Sequence, residues 1–406
     1  MLLRTKNTQE KFYKMRMNKE FPKGFLWGSS TAAYQVEGGI ENVDWAEAAR
    51  NGKVPVCGKA ADHYNRFEED FDLLVNLSQN AHRFSIEWAR IEPIEGKFDE
   101  EQIEHYRKVL QALKRRGIFP VVNLWHFTLP LWFSESGGFF REDGEKKFAR
   151  FCAFVFERLA DDASGMWITI NEPEIWSMKS FVEGVWPPFG RNPFAAISMV
   201  KHLSKAHKAA YVAMKKIRPN AKIGVAKHNI YFDASRNILF RPIAAFISWL
   251  WNRWFLDMIE GHQDFIGMNH YLHKPIGWKA KSDVVRSDMG WEVHPESIYR
   301  CLLELKRYNL PIYVTESGIA DAKDAMRKDF IVGYLHAVHR AIAEGADVRG
   351  YFHWSLLDNY EWALGFEKRF GLVEVNYETQ VRTIRPSARV YAEICRTGTL
   401  PEANSS

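Results

Sequence analysis

The sequence predicts a single α/β domain folded as a closed (β/α)8 barrel, with its ligand site at the C-terminal ends of the strands. Eight short runs rich in β-branched and aromatic residues recur along the chain, and the segments between them carry helical periodicity. No linker or composition break divides the chain, and eight strand–helix units favour closure over an open doubly wound sheet. The chain also lacks a GxGxxG or GxxxxGKS/T loop, the usual reason to choose the open sheet.

In chain order the strands are expected at 25–28, 81–85, 119–124, 166–170, 222–226, 265–268, 312–315 and 350–354. Between the second and third, Asp99 and Gln102 fit a capping box that opens a helix with Ile103, Tyr106, Leu110 and Leu113 on one face and Gly117 as its stop. Phe148, Cys152, Val155 and Leu159 form a second apolar stripe. Ile331, Leu335, Val338 and Ile342 form a third, closed by Gly345.

At 46% hydrophobic residues the chain can build a large core without metals or disulfides. Fifty-five basic residues against fifty acidic ones leave a formal charge of +5, with the signs interspersed, which argues against a nucleic-acid partner. Cys57, Cys152, Cys301 and Cys395 are far apart and form no CxxC or Cys/His cluster, so they read as reduced, buried thiols of a cytoplasmic protein. No His/Asp/Glu group has metal-ligand spacing, and neither metal nor other cofactor is expected. Residues 1–20 read as a loosely ordered arm without a secretory h-region, 21–396 as the barrel and 397–406 as a tail. No apolar run is long enough to span a membrane. The Trp-dense segment 243–256 reads as a buried helix over the barrel, with a lid, a homo-oligomer contact or a membrane-surface patch as the sharper alternatives.

Two strand ends carry chemistry. In the stretch ITINEPEIW the apolar run 166–170 stops at Asn171-Glu172-Pro173, where proline cannot continue a ladder. The run PIYVTESG repeats the pattern: a branched and aromatic strand ends in Glu316, and Gly318 is expected to permit a sharp turn. Glu172 ends the fourth strand and Glu316 the seventh, so in a closed barrel both face the central pocket. Paired carboxyls flanking a ligand are the machinery of glycoside hydrolysis, one protonating the leaving oxygen and the other attacking the anomeric carbon or activating water.

From 21 to 394 the chain resembles glycoside hydrolase family 1, the β-glucosidase/β-glycosidase family, through FPKGFLWGSSTAAYQVEGG, HRFSIEWARIEP, NLWHFTLPLW, TINEP, DFIGMNHY, YVTESGIAD and YFHWSLLDNYEWALGFEKRFGLV. The resemblance implies a TIM barrel and a retaining exo-β-glycosidase acting on non-phosphorylated β-glucosides, β-galactosides or β-fucosides. It implies Glu172 as acid/base and Glu316 as nucleophile, with Arg83 and Tyr271 steadying the anion of Glu316. Gln35, His126, Asn171 and Glu361 match residues that bind sugar hydroxyls, and Trp354 and Trp362 match aromatic platforms. His63, His82 and His353 keep the plainer reading of hydrogen-bonded structural histidines. Glu361 stands where the phospho-glycosidase branch reads a 6-phosphate, and no serine–lysine pair accompanies it, although Lys368 is near. The chain departs from the family pattern at Ser317, His270 and Phe127, and it is shorter between 191 and 264. A transglycosylase would use the same intermediate, and a catalytically silent sugar-binding barrel would be expected to lose these groups.

Overall fold

The computed structural model describes residues 19–277 and 284–401. Eight parallel strands close on themselves in chain order: β1 (Leu26–Ser30), β2 (Ala81–Ser85), β3 (Phe119–Asn123), β4 (Met166–Asn171), β5 (Lys222–Asp233), β6 (Phe265–Pro275), β7 (Ile312–Ser317) and β8 (Val348–Trp354). The closing pair puts Leu26 opposite Gly350 and Ser30 opposite Trp354. A plug of apolar side chains, among them Ala81, Val121, Ile168, Ala226, Phe265 and Phe352, fills the lower barrel. Alternation along the strands then leaves the polar residues of the C-terminal ends facing the open mouth.

The main helices lie outside the strands: α1 (His63–Asn76), α2 (Glu100–Arg115), α3 (Gly144–Ala163), α4 (Pro173–Met178), α5 (Pro193–Ile217), α6 (Arg241–Ser248), α7 (Trp254–Met258), α8 (Pro295–Leu305), α9 (Arg327–Ala343) and α10 (Pro386–Thr397). All three expected stripes, on α2, α3 and α9, are buried. Asp99 caps α2 by accepting from Glu101 N at 2.9 Å and Gln102 N at 3.2 Å. The reciprocal half of the box does not form, because Gln102 Oε1 accepts from the Tyr64 hydroxyl at 2.9 Å instead.

β5 and β6 run well past their expected ends and stay paired from Gly224–Phe265 to Asp233–Pro275, raising a two-stranded ledge above the rim. A short hairpin, β9 (Val373–Val375) and β10 (Arg382–Ile384), was not anticipated.

The Trp-dense segment is not the buried helix expected. It runs through α6, a π-helical turn at Trp249–Arg253 and α7, with Ala244, Asn252, Phe255 and Leu256 buried and Ile243, Phe246 and Leu250 exposed. The polar break in the run is explained by β5, whose register with β6 shifts between Asn229 and Ile230. Asn252 satisfies the backbone there, accepting from Ile230 N at 2.9 Å and donating to Ile230 O at 2.8 Å.

All four cysteines are buried and unpaired. Among the described residues no helix is long and apolar enough to cross a membrane. Most of the expected N-terminal arm and C-terminal tail lie outside the described residues; Glu20 forms a bridge with Thr399.

Candidate active site

Glu172 and Glu316 sit at the rim of β4 and β7, only 6% and 4% exposed. Their surroundings differ in kind. Both oxygens of Glu316 are held by donors: the Arg83 guanidinium on β2 pairs with Oε1, and the Tyr271 hydroxyl on β6 donates to Oε2 at 2.8 Å. Such charge-assisted bonds suit a carboxylate. Burial and the neighbouring Glu316 keep the Tyr271 phenol well above its ordinary pKa, so it remains a donor. Glu172 Oε1 accepts one bond, from the Asn269 amide at 2.8 Å. Burial and then the charge of Glu316 push the Glu172 carboxyl well above the usual carboxylate range; the Asn269 bond, Arg83 and Lys227 pull the other way.

Arg83 also donates to Asn171 Oδ1 at 2.6 Å, and Asn269 Nδ2 reaches the same oxygen at 3.1 Å. The Asn171 amide nitrogen lies 3.3 Å from His126 Nε2, and Asn123 Nδ2 lies 3.1 Å from His126 Nδ1. Burial and Arg83 push His126 well below its ordinary pKa, so its ring is neutral. The His126 ring is parallel to those of Trp354 and Trp362, with centroids 6.0 Å away in each case.

On the remaining wall, Gln35 Nε2 donates to Asn359 Oδ1 and Tyr360 O, both at 2.8 Å. Gln35 Oε1 and Glu361 Oε2 are buried without a partner among the described residues. Burial and Glu316 push Glu361 up to about 8. The Gln35 oxygen can accept a hydrogen bond, and protonated Glu361 can accept or donate one. One continuous set of contacts thus gathers Arg83, Glu316, Tyr271, Asn171, Glu172 and His126, and the flanking Trp354, Trp362, Gln35 and Glu361 complete the ten residues singled out from the sequence.

Several features were not singled out. Asn269 ties Glu172 to Asn171, and its amide is oriented by the Thr315 hydroxyl, which donates to Asn269 Oδ1 at 2.7 Å. It stands two residues before Tyr271 on the same face of β6, the signal that could have found it. Trp45 and Trp186 back Trp362, at 4.8 and 5.5 Å between centroids, and Phe127 packs edge-on against it at 5.2 Å. Behind β4 and β5 lies a buried ion pair, Lys227 with Glu174 at 3.0 Å.

Of the departures from the family pattern, Phe127 and His270 have structural accounts and Ser317 has none. His270 points away from the pocket, its ring spanning Asn229 O at 3.0 Å and Ser297 Oγ at 2.7 Å. Ser317 Oγ is buried without a partner among the described residues. Gly318 does not make a left-handed turn; glycine is needed because an added Cβ would stand 1.8 Å from Trp354 O. His63 and His82 are hydrogen-bonded, to Asp70 at 2.8 Å and Thr31 at 3.2 Å, but both ring nitrogens of His353 are buried without partners among the described residues. Burial and then Arg327 hold the His353 pKa well below its ordinary value, so the ring is neutral.

One grouping invisible in the spacing brings ligand atoms of His273, Glu292 and His294 within 4.8 Å of one another. The two imidazoles stack face to face at 3.9 Å and 9°. Their lone pairs lie in parallel planes and cannot converge on one ion without rotation of a ring.

A family model for glycosyl hydrolase family 1 matches residues 17–274 and 253–399. The chain is 32% identical to the β-glucosidase A of Thermotoga maritima, over 95% of this chain and 99% of that one. It is 33% identical to the β-galactosidase of Sulfolobus acidocaldarius, over 94% and 96%. Among solved structures, a β-glycosidase from Pyrococcus horikoshii superposes with a TM-score of 0.88 at 38% identity, covering 95% of this chain and 97% of that one.

Proposed function

The chain belongs to glycosyl hydrolase family 1 and is a retaining β-glycosidase; from that premise we propose that Glu316 is its nucleophile and Glu172 its acid/base, acting on terminal, non-phosphorylated β-D-glycosides. The observation that supports these roles is the asymmetry of the two carboxyls. Glu316 has a donor on each oxygen, whereas Glu172 is buried and faces a like charge. Burial and the like charge favour the protonated form of Glu172, which the acid of the first step requires.

In the first step a Glu316 oxygen attacks the anomeric carbon as the glycosidic C–O bond breaks, and Glu172 passes its proton to the departing oxygen. The product is a glycosyl ester of Glu316. Esterification removes the negative charge that, after burial, raised Glu172, so Glu172 ionises more readily than before. It then takes a proton from water as the water oxygen attacks the anomeric carbon and releases Glu316. Two inversions give retention, which requires carboxyls about 5–5.5 Å apart.

In this reading Gln35, His126, Asn171 and Glu361 hold the hydroxyls of one terminal sugar, and Trp354 faces its apolar side. A 6-phosphate is disfavoured. Lys368, the nearby cation, spends its ammonium on Asp288 O at 3.0 Å, and a dianion would meet the carboxyl of Glu361.

The test is a rate panel on nitrophenyl β-glucoside, β-galactoside, β-fucoside, β-mannoside and 6-phospho-β-glucoside, with Glu316→Ala in parallel. Turnover of neutral sugars that vanishes in the folded variant is expected, with partial recovery on added azide or formate. Near wild-type rates in Glu316→Ala without those additives would overturn the assignment.

A further inference from the structure

We propose that the cavity enclosed by the loops after β1, β3 and β4 is a second binding site, which takes an uncharged aromatic carbonyl compound. The cavity has a volume of about 390 Å³, enough for a small ring system. None of the ten residues singled out at the mouth of the barrel lines it. Leu129, Phe139, Trp176, Phe181, Pro187 and Met199 line it and are buried, so its inner surface is aromatic and aliphatic. Such a lining suits a flat apolar ring.

Two polar groups of the lining are donors. Asp44, 7% exposed, opens the helix Asp44–Arg50 after β1. Its Oδ1 accepts from Trp45 N and Leu129 N at 2.9 Å each, while Oδ2 has no hydrogen-bond partner among the described residues. Burial outweighs those two bonds and pushes the carboxyl up to about 8. At neutral pH it is therefore protonated, and with Oδ1 already accepting two bonds the proton sits on Oδ2. The Trp176 indole Nε1 is also buried without a partner among the described residues. Donors of this kind call for an oxygen that only accepts, as a carbonyl does with its two lone pairs.

The other charged groups of the lining are Glu47, Lys53 and Glu135, all more exposed than Asp44. The Lys53 ammonium lies over the Phe189 ring, 4.7 Å from its centroid. Two carboxyls beside one ammonium disfavour an organic anion, and protonated Asp44 offers an organic cation no counter-charge. The cavity lies across an aromatic wall from the sugar pocket. Trp45 follows Asp44 and Trp186 precedes Pro187, and these are the rings that back Trp362. Trp176 packs edge-on against Trp125, the chain neighbour of His126, with centroids 5.1 Å apart.

The proposal does not depend on the catalytic assignments, because its readout is binding. The full chain is titrated by calorimetry with 2-acetonaphthone, and in parallel with 2-naphthylmethylamine and 2-naphthoate. The ketone should bind more tightly than about 1 mM, and both charged probes more weakly. Its affinity should hold below about pH 8 and fall about tenfold by pH 9, as Asp44 loses the proton it donates. Asp44→Asn keeps the acceptor for the two backbone donors and presents an amide N–H instead, so binding should stay within about threefold at pH 7 and no longer fall at pH 9. Ala48→Phe puts a ring into the cavity and should lower the affinity at least about tenfold, while turnover of a soluble nitrophenyl glycoside is kept. No binding of the ketone at 1 mM, equal binding by Ala48→Phe, or a wild-type affinity that is flat from pH 7 to 9 would overturn the proposal. So would tighter binding of the amine, which would mark a site for organic cations.

Discussion

Asn269 offers the sharpest separation between a structural and a catalytic reading of the rim. Asn269→Ala deletes the 2.8 Å bond to Glu172 Oε1 and the 3.1 Å bond to Asn171, and it leaves the Thr315 hydroxyl without its acceptor. A buried hydrogen bond to a charged group is worth about 1.5–3 kcal/mol. If that is lost from the transition state, kcat/KM falls roughly 10- to 150-fold. The sign of the pH effect is independent of that size. The Asn269 bond pulls the Glu172 pKa down, so its removal raises it further. Glycosylation needs protonated Glu172, and the alkaline limb of kcat/KM should therefore move to higher pH in the variant. The assay is kcat/KM across pH on a nitrophenyl glycoside, with Thr315→Val as a milder companion that frees the amide without removing it. A fall in rate with an unmoved limb would show that Asn269 only supports the fold. Unchanged kinetics would refute the reasoning altogether.

Four further outcomes are expected. Glu172→Ala should slow alkyl and sugar leaving groups by about 100-fold or more while sparing activated phenolates, which need little protonation; kcat/KM across a leaving-group series checks it. Tyr271→Phe, which removes the 2.8 Å bond to Glu316 Oε2, should cost roughly 10- to 100-fold in kcat/KM, read on the same substrates at constant fold. Gly318→Ala places a Cβ 1.8 Å from Trp354 O and should destabilise by about 1–3 kcal/mol or more in urea unfolding. Asp44, which accepts from Trp45 N and Leu129 N at 2.9 Å each, is pushed up to about 8 by burial. The folded state holds a proton there that the unfolded chain releases above about pH 4, so stability from this group is full below that and is lost as pH rises through about 8; Asp44→Asn should flatten the fall in melting temperature over that window.

The eight strands and the two rim glutamates were legible because each signal is local. A run such as Met166–Ile170 announces a buried strand, and a carboxyl at its end announces the rim. What escaped needed contacts distant in sequence. The ledge of β5 and β6 mixes histidine, asparagine and aromatics and ends in Pro275, so no period of two marks it. Asn269 becomes functional only through Glu172, 97 residues away. The segment 243–256 failed for a different reason. Periodicity identifies an apolar stripe but not the side it faces, and here the side that packs is the one bearing Ala244 and Asn252.

The interruption at Asn-Glu-Pro has a geometric cause that joins these observations. Consecutive residues of a regular strand point to opposite faces. Asn171 and Glu172 are consecutive, yet both reach the Arg83 and Asn269 network inside the pocket. Glu172 manages this by leaving the strand conformation, with φ +44° and ψ +63°, a left-handed geometry that costs a residue with a Cβ about 1–2 kcal/mol. The backbone around it is fixed: Glu172 N donates to Ala226 O at 2.8 Å, and Glu172 O accepts from Trp176 N at 3.1 Å as α4 begins. Pro173 opens that helix at the position where a missing N–H is harmless. The same departure from regularity recurs around the mouth. Phe127 and Trp362 also have positive φ, and the ladders shift register between Ile168 and Asn171, between Met268 and Asn269, and between Val314 and Ser317. Each shift adjoins or spans a residue of the candidate site. The lower barrel, with its apolar plug, supplies the stability that lets the rim break the strand rule where two neighbouring side chains must serve one pocket.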